Sequence, residues 1–272
     1  MKTFQDLQEG VYDPNILKAF FLAGGPGSGK SYVIARGAGG LGMKVVNSDD
    51  TFEKYIKDAG MTFKMQSKRG KEQQVDRDNL RTRAQDVAGM QKANYVNGRL
   101  GLIIDGTGKD YDKITGQAQQ LRLLGYDIHM IFVNTSLDTA LKRNAARERT
   151  LEPSIATKSW KSVQMNMGKF SQFFKRGFVL VDNNDSKEDV MGPVYKQIRS
   201  LAKSKVQNKI GQQWVAQELA FKKNSGGSGV LGKGRGGGKR QRIDPKVLDL
   251  HKKSGFSKFA SKTRWFADSQ KF

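Results

Sequence analysis

Cysteine is absent from this 272-residue chain. That excludes disulfides, a thiolate zinc site and a cysteine nucleophile. Histidine is nearly absent too, and His129 and His251 leave little for a histidine-based metal centre. No apolar run approaches the ~18 residues of a membrane-spanning helix. The opening MKTFQDLQEG is too polar for a secretory leader. Together these absences favour a cytoplasmic protein, in a host cell or virion if the chain is viral. Acidic residues are also in short supply, 26 against 48 Lys and Arg, for a net charge of +22. The excess is concentrated: residues 203–272 hold 17 basic against 4 acidic side chains. A field of that sign favours polyanions.

What is present is more specific. Residues 24–31 read GGPGSGKS, with Gly24, Gly29, Lys30 and Ser31 at the fixed places of G-x-x-x-x-G-K-[ST]. The apolar run Ala19–Ala23 before it suits a buried strand, and Ser31–Arg36 after it suits the first turns of a helix. Such a strand–loop–helix turn aims backbone N–H groups and a helix dipole at one point. Gly25, Pro26, Gly27, Ser28 and Gly29 are therefore candidate phosphate-cradling positions. Lys30 would reach the β/γ-phosphates of ATP or GTP, and the Ser31 hydroxyl would ligate Mg²⁺.

Through residue 200 short apolar stretches alternate with helical ones, the pattern of a parallel α/β sheet flanked by helices. Strands are expected at Ala19–Ala23, Met43–Asn47, Leu100–Asp105, His129–Asn134 and Phe178–Asp182. Helices are expected at Lys113–Leu124, at Ser136–Arg149 with Ser136 as N-cap, and as one or two basic helices over Ser186–Gln213. His129, inside an apolar strand pattern, is expected to be structural. Met165, Met167, Phe170, Phe173 and Phe174 are expected in the core. From Asn224 the text turns to Gly with Lys and Arg, which cannot bury enough apolar area to offset its ordering entropy. This divides the chain into a P-loop domain (1–223), a flexible basic linker (224–243) and a basic tail with five aromatic residues (244–272).

Two strand ends carry carboxylates. The second expected strand runs into Asn47-Ser48-Asp49-Asp50-Thr51-Phe52, the third into Asp105-Gly106-Thr107-Gly108-Lys109. Strand C-termini beside a P-loop face its ligand, so Asp50 is a candidate proton acceptor and Asp105 a candidate Mg²⁺ holder. Asp50 is preferred to Asp49, for which an exposed turn residue is the plainer reading. Arg143 and Arg147, four apart, would share a helical face and can clamp phosphates; pairing with Glu148 or solvent is the plainer role for Arg143 and Arg149.

These motifs resemble those of the zeta-toxin family of P-loop kinases, within the wider group of polynucleotide and nucleoside-type kinases. GGPGSGKS, the DDTF after strand two, DGTGK after strand three, the following LLGYD and the arginine-bearing helix stand in the family's order, over roughly residues 10–185. The resemblance implies Asp50 as general base, Asp105, Thr107 and Lys109 around the acceptor, and Arg147 as the phosphate-clamping arginine. Asp105, where the family often has Glu, is one methylene shorter, which leaves open whether it serves acceptor hydroxyls or Mg²⁺. A second lid arginine has no clear match; Arg143, Arg149 and Lys158 are the candidates, with Arg143 placed at the nucleotide. The implied reaction is phosphoryl transfer from ATP or GTP to a hydroxyl of an anionic acceptor, a nucleotide sugar or a polynucleotide 5′-end. Lys64, Lys68, Arg69 and Lys71 in the intervening insert fit an anionic acceptor. The alternative is a P-loop scaffold without turnover, such as an assembly protein of a virus, whose residues 226–272 bind nucleic acid or a large protein assembly.

Overall fold

The computed structural model describes residues 11–35, 40–61, 71–147, 150–184 and 191–224. Five strands, β1 (Lys18–Ala23), β2 (Lys44–Val46), β3 (Leu102–Ile104), β4 (Asp127–Asn134) and β5 (Phe178–Asp182), form one sheet. Their order is β2-β3-β1-β4-β5 and each neighbouring pair is parallel. The central strand, β1, leads into the Gly-rich loop. It is buried along its whole length, which is why its text is a continuous apolar run rather than an alternation.

Its side chains nevertheless divide by parity. Ala19, Phe21 and Ala23 join one core with Met130, Phe132, Val163, Phe170 and Leu121. Phe20 and Leu22 join a second with Ile131, Val133, Val179, Val194 and Ile198. The first core lies under α4 (Tyr111–Leu123) and α6 (Pro153–Phe174), the second under α7 (Met191–Lys203). Each fully buried Phe or Leu contributes about 1.5–3 kcal/mol. A third, smaller cluster of Phe52, Ile56 and Ala84 binds α2 (Ser48–Asp58) to α3 (Lys71–Asn97).

Local chemistry explains the helix starts. Asn47 caps α2, Asp110 caps α4 and Ser136 caps α5 (Leu137–Ala145), each accepting a backbone N–H of the first turn. These bonds satisfy otherwise orphaned donors. Pro153 opens α6, where its missing N–H costs nothing.

The helix after the Gly-rich loop, α1 (Lys30–Val33), widens at Ile34–Ala35 and so follows the expected Ser31–Arg36 as far as the described residues reach, and Gly40 lies in a turn. Several expected elements are corrected. The expected helix Ser136–Arg149 stops at Ala145. The basic stretch after 186 divides into α7 and α8 (Lys209–Asn224). Met165 is 71% exposed rather than core, whereas Phe170 and Phe174 are buried and Met167 and Phe173 pack against them. The linker from 225 onward, the tail, and Lys64, Lys68, Arg69 and Arg149 lie outside the described residues.

Away from the Gly-rich loop, the N-terminal end of β1 and β4 holds a buried ion pair that the sequence does not advertise. Lys18 Nζ donates to Asp127 Oδ2 at 2.7 Å, to Ser204 Oγ at 2.9 Å and to the Lys205 carbonyl at 3.2 Å. Asp127 in turn accepts the backbone N–H groups of Gln207 and Asn208. One strand-register pair thereby anchors the connection between α7 and α8.

Candidate active site

The Gly-rich loop sits at the C-terminal end of β1, between α5, α6 and the loop after β3. Gly27 and Gly29 have φ of 75° and 87°, a left-handed conformation that side chains with a Cβ resist. Space is also missing: a Cβ on Gly27 would collide with the Ala140 carbonyl of α5, and one on Gly29 with Asn183 Nδ2. Gly25 lies against Trp160 of α6, whose Nε1 donates to the Thr135 carbonyl at 2.9 Å. Pro26 is half-buried, Ser28 buried and Ser31 exposed.

The loop is joined to the loop after β3. Gly24 N–H donates to the Thr107 carbonyl at 3.0 Å. The Gly108 and Lys109 carbonyls accept from Asn166 Nδ2 of α6 at 3.1 and 2.9 Å. Thr107 and Lys109 expose their side chains, while their backbone is held from two sides.

Charge converges on Lys30. Its Nζ folds over the loop and donates to the Gly24 carbonyl at 2.8 Å and to that of Gly25 at 3.4 Å. Burial lowers its pKa and Arg147 lowers it further, against the opposing pull of Asp105 and Asp49. Asp105 is half-buried; its Oδ1 is enclosed and has no hydrogen-bond partner. Burial raises the Asp105 pKa, as do Asp49 and Asp50, whereas Lys30 and the Gly106 N–H favour the carboxylate. An enclosed, unpartnered carboxylate oxygen next to a lysine is a group waiting for a cation or a donor.

Asp49 and Asp50 occupy the first turn of α2, where the helix dipole favours carboxylates. Asp50 is exposed and accepts Asn47 Nδ2 at 3.0 Å. Partial burial raises its pKa, and the neighbouring Glu53 and Asp49 add to that. Asp49 lies 3.7 Å from Arg81 of α3.

The arginines separate. Because α5 ends at Ala145, Arg147 sits beyond the helix in an exposed bend, not on a shared face with Arg143. It still lies close enough to act on Lys30. Arg143 is half-buried, and its Nη1 donates to the Asn183 carbonyl at 2.7 Å. Lys158 lies on α6. Asn183, Trp160 and Asn166 support the site without having been singled out from the sequence. The only textual cue for Asn183 is the polar Asp182-Asn183-Asn184 that ends β5.

A central strand, a Gly-rich loop and the 2-3-1-4-5 parallel order define a P-loop NTPase architecture. A family model described as an AAA domain matches residues 20–168, and the chain belongs to that family. No curated protein sequence matches it. Among solved structures it is similar to a protein of Chloroflexus aurantiacus j-10-fl described as a kinase, with 15% identity, coverage of 67% of this chain and 97% of that one, and TM-score 0.47. It is similar to a chain of the Pnkp1/Rnl/Hen1 RNA repair complex, with 19% identity, TM-score 0.44 and 62% of this chain covered; there it spans about half of the other chain, 49%. It is also similar to the AvrRxo1-ORF1:AvrRxo1-ORF2 complex with sulphate ions, with 14% identity, 81% and 76% coverage and TM-score 0.47. At such identities the likeness is one of fold. Among the described residues no helix is long and apolar enough to cross a membrane.

Proposed function

We propose that this protein is a P-loop kinase of zeta-toxin or polynucleotide-kinase type that moves the γ-phosphate of ATP or GTP to a hydroxyl of an anionic acceptor. The observation that carries this reading is the enclosed, unpartnered Asp105 Oδ1 beside Lys30, with two more carboxylates at the neighbouring strand end. A bare phosphate-binding loop has no use for three carboxylates, since they repel its ligand. A kinase needs one to take a proton and one to manage a cation.

The fit to Mg²⁺ rests on donor chemistry. The Asp105 carboxylate and the exposed Ser31 hydroxyl are hard oxygen donors of the kind Mg²⁺ prefers. Mg²⁺, when bound, offsets charge between the β- and γ-phosphates. Lys30 leaves the Gly24 and Gly25 carbonyls for the phosphate oxygens, while Gly27 and Gly29 offer backbone N–H groups; Pro26 has none, and the Ser28 N–H donates to the Gly25 carbonyl. The acceptor oxygen forms a bond to γ-phosphorus as the bond to the β–γ bridging oxygen breaks. Asp50 takes the acceptor's proton, and Arg147 balances charge on the transferring group. Thr107, Lys109 and Arg143 hold acceptor and nucleotide. Most of the rate comes from positioning and electrostatics, because the transition state is loose.

A second assignment of the base has its own support: Asp49, not Asp50, acts on the Lys30 charge. Turnover of labelled ATP with a panel of nucleotide sugars and 5′-hydroxyl oligonucleotides tests both. Lys30→Ala is expected to lower kcat by about 10²–10³-fold. Asp50→Asn is expected to lose more than Asp49→Asn; the reverse order moves the base to Asp49. Full phosphorylating activity in Lys30→Ala would overturn the kinase reading. In the active enzyme the acid limb of the rate profile is expected above the ordinary carboxylate range, because Asp50 must be ionised and its pKa is raised.

A further inference from the structure

Asn183, the first residue after β5, makes three hydrogen bonds that tie the Gly-rich loop to β4 and α5. Its N–H donates to the Asn134 carbonyl of β4 at 2.9 Å, which fixes its backbone to the sheet. Its Nδ2 donates to the Ser28 carbonyl at 2.8 Å. Its own carbonyl accepts Arg143 Nη1 at 2.7 Å. Its side chain also fills the space that a Cβ on Gly29 would need.

The Ser28 bond has a directional consequence. In a planar trans peptide the C=O and N–H point in opposite directions. With the Ser28 oxygen tied to Asn183, the Gly29 N–H must face away from Asn183. A φ of 87° at Gly29 lies in a region that glycine enters about as readily as its mirror image, so the loop backbone itself holds this peptide weakly. A flipped peptide would present a carbonyl oxygen where the cradle needs a donor, and would repel a phosphate.

We propose that Asn183 is a positioning residue: it fixes the Ser28–Gly29 peptide so that the Gly29 N–H is presented to the triphosphate, and through its carbonyl it holds Arg143 beside the same loop. The role deepens the nucleotide reading above and rests on it. It needs the side-chain donor for the peptide, whereas the Arg143 bond uses the main chain and survives substitution of Asn183.

Calorimetric titration of the full chain with inorganic tripolyphosphate and with ATP–Mg²⁺ tests this, alongside thermal unfolding without ligand. Asn183→Ala removes the donor, and Asn183→Leu keeps much of the shape while removing it without adding a charge. Both variants are expected to bind tripolyphosphate about tenfold more weakly or worse, as for a lost donor to an anion, with a small change in unliganded midpoint. A lowered midpoint with unchanged affinity in the folded fraction overturns the positioning role. If both variants fail to fold, the Gly29 amide of the wild-type chain decides. Protection from exchange on adding tripolyphosphate supports the proposal, and its absence overturns it. A wild-type chain that binds neither probe defeats the nucleotide reading and this proposal together, whereas wild-type binding with unaltered variants defeats the Asn183 role alone.

Discussion

His129 shows how one residue turns burial into a pH dependence. It lies in β4, stacked at 4.7 Å on Phe20, and both ring nitrogens are enclosed without a partner. Burial, with Lys18 nearby, pushes its pKa down to about 4, so the folded protein holds it neutral. Above pH ~6.5, the value of an unperturbed imidazole, neither state carries the proton and stability is unaffected. As pH falls from there toward 4 the unfolded chain takes up a proton that the fold excludes, and stability drops by roughly 3 kcal/mol. Below that the loss levels off. Asp50 and Asp105, with raised pKa values, act in the opposite sense at the acid end, since the folded state binds their protons first. Urea denaturation at pH 7.5 and 5 is expected to show this loss, and His129→Leu is expected to remove most of it. An equal pH dependence in the variant would show that the fold does not exclude the imidazole's proton and that the dependence arises elsewhere. The role of His129 as a structural residue is legible from its apolar surroundings in sequence. Its lack of any hydrogen-bond partner is not, because that depends on what β1 and the turn before β5 place around it.

Among elements, the sheet is fixed at both ends, and the two ends differ in kind. At the C-terminal end neutral hydrogen bonds hold the loops to one another and to α6: Gly24 to Thr107, Asn166 of α6 to Gly108 and Lys109, Asn183 to Ser28. At the other end a single buried pair, Lys18 and Asp127, 1% and 9% exposed, secures the turn from α7 to α8. Removing one partner of such a pair leaves a buried charge and costs about 3–5 kcal/mol. Asp127→Ala is expected to lose stability in that range by urea titration and to expose the α7–α8 connection to proteolysis. Lys18→Met with Asp127→Leu is not expected to restore it, because the Gln207 and Asn208 N–H groups would still lack their acceptor. Full stability in the double variant would show that the pair, rather than those N–H groups, carries the effect. The strands and the helix start at Ser136 follow from local text, whereas the caps at Asn47 and Asp110 come from the structure.

For the whole molecule, the positive charge is shared: residues 225–272 hold 12 basic against 3 acidic side chains, and the residues before them 36 against 23. The domain is a five-stranded parallel sheet with helices on both faces. The last 48 residues hold a Gly-rich stretch and an aromatic–basic end. We propose that they tether the kinase to nucleic acid or to a large protein assembly. Removing residues 225–272 is expected to leave ATP turnover intact and to abolish oligonucleotide binding, which in the full chain should weaken steeply between about 50 and 200 mM salt. Loss of turnover on deletion would make the tail part of the catalytic unit, and oligonucleotide affinity retained by the shortened chain would place that binding on the domain.

The amino-acid order alone determined the GGPGSGKS loop, its strand, the carboxylates at two strand ends and the alternation that implies a parallel sheet, because each depends on neighbours within a few residues. Only the tertiary structure decided what surrounds that loop. Asn183 stands 155 positions from Ser28, Asn166 is 58 from Gly108, and Lys18 is 109 from Asp127. Strand order and register bring these pairs together, and no local pattern encodes them. The separation of Arg147 from Arg143 has the same origin: helical spacing predicts a shared face, but α5 ends first at Ala145, where Asn144 bonds both ways with the Leu151 backbone and the chain turns away.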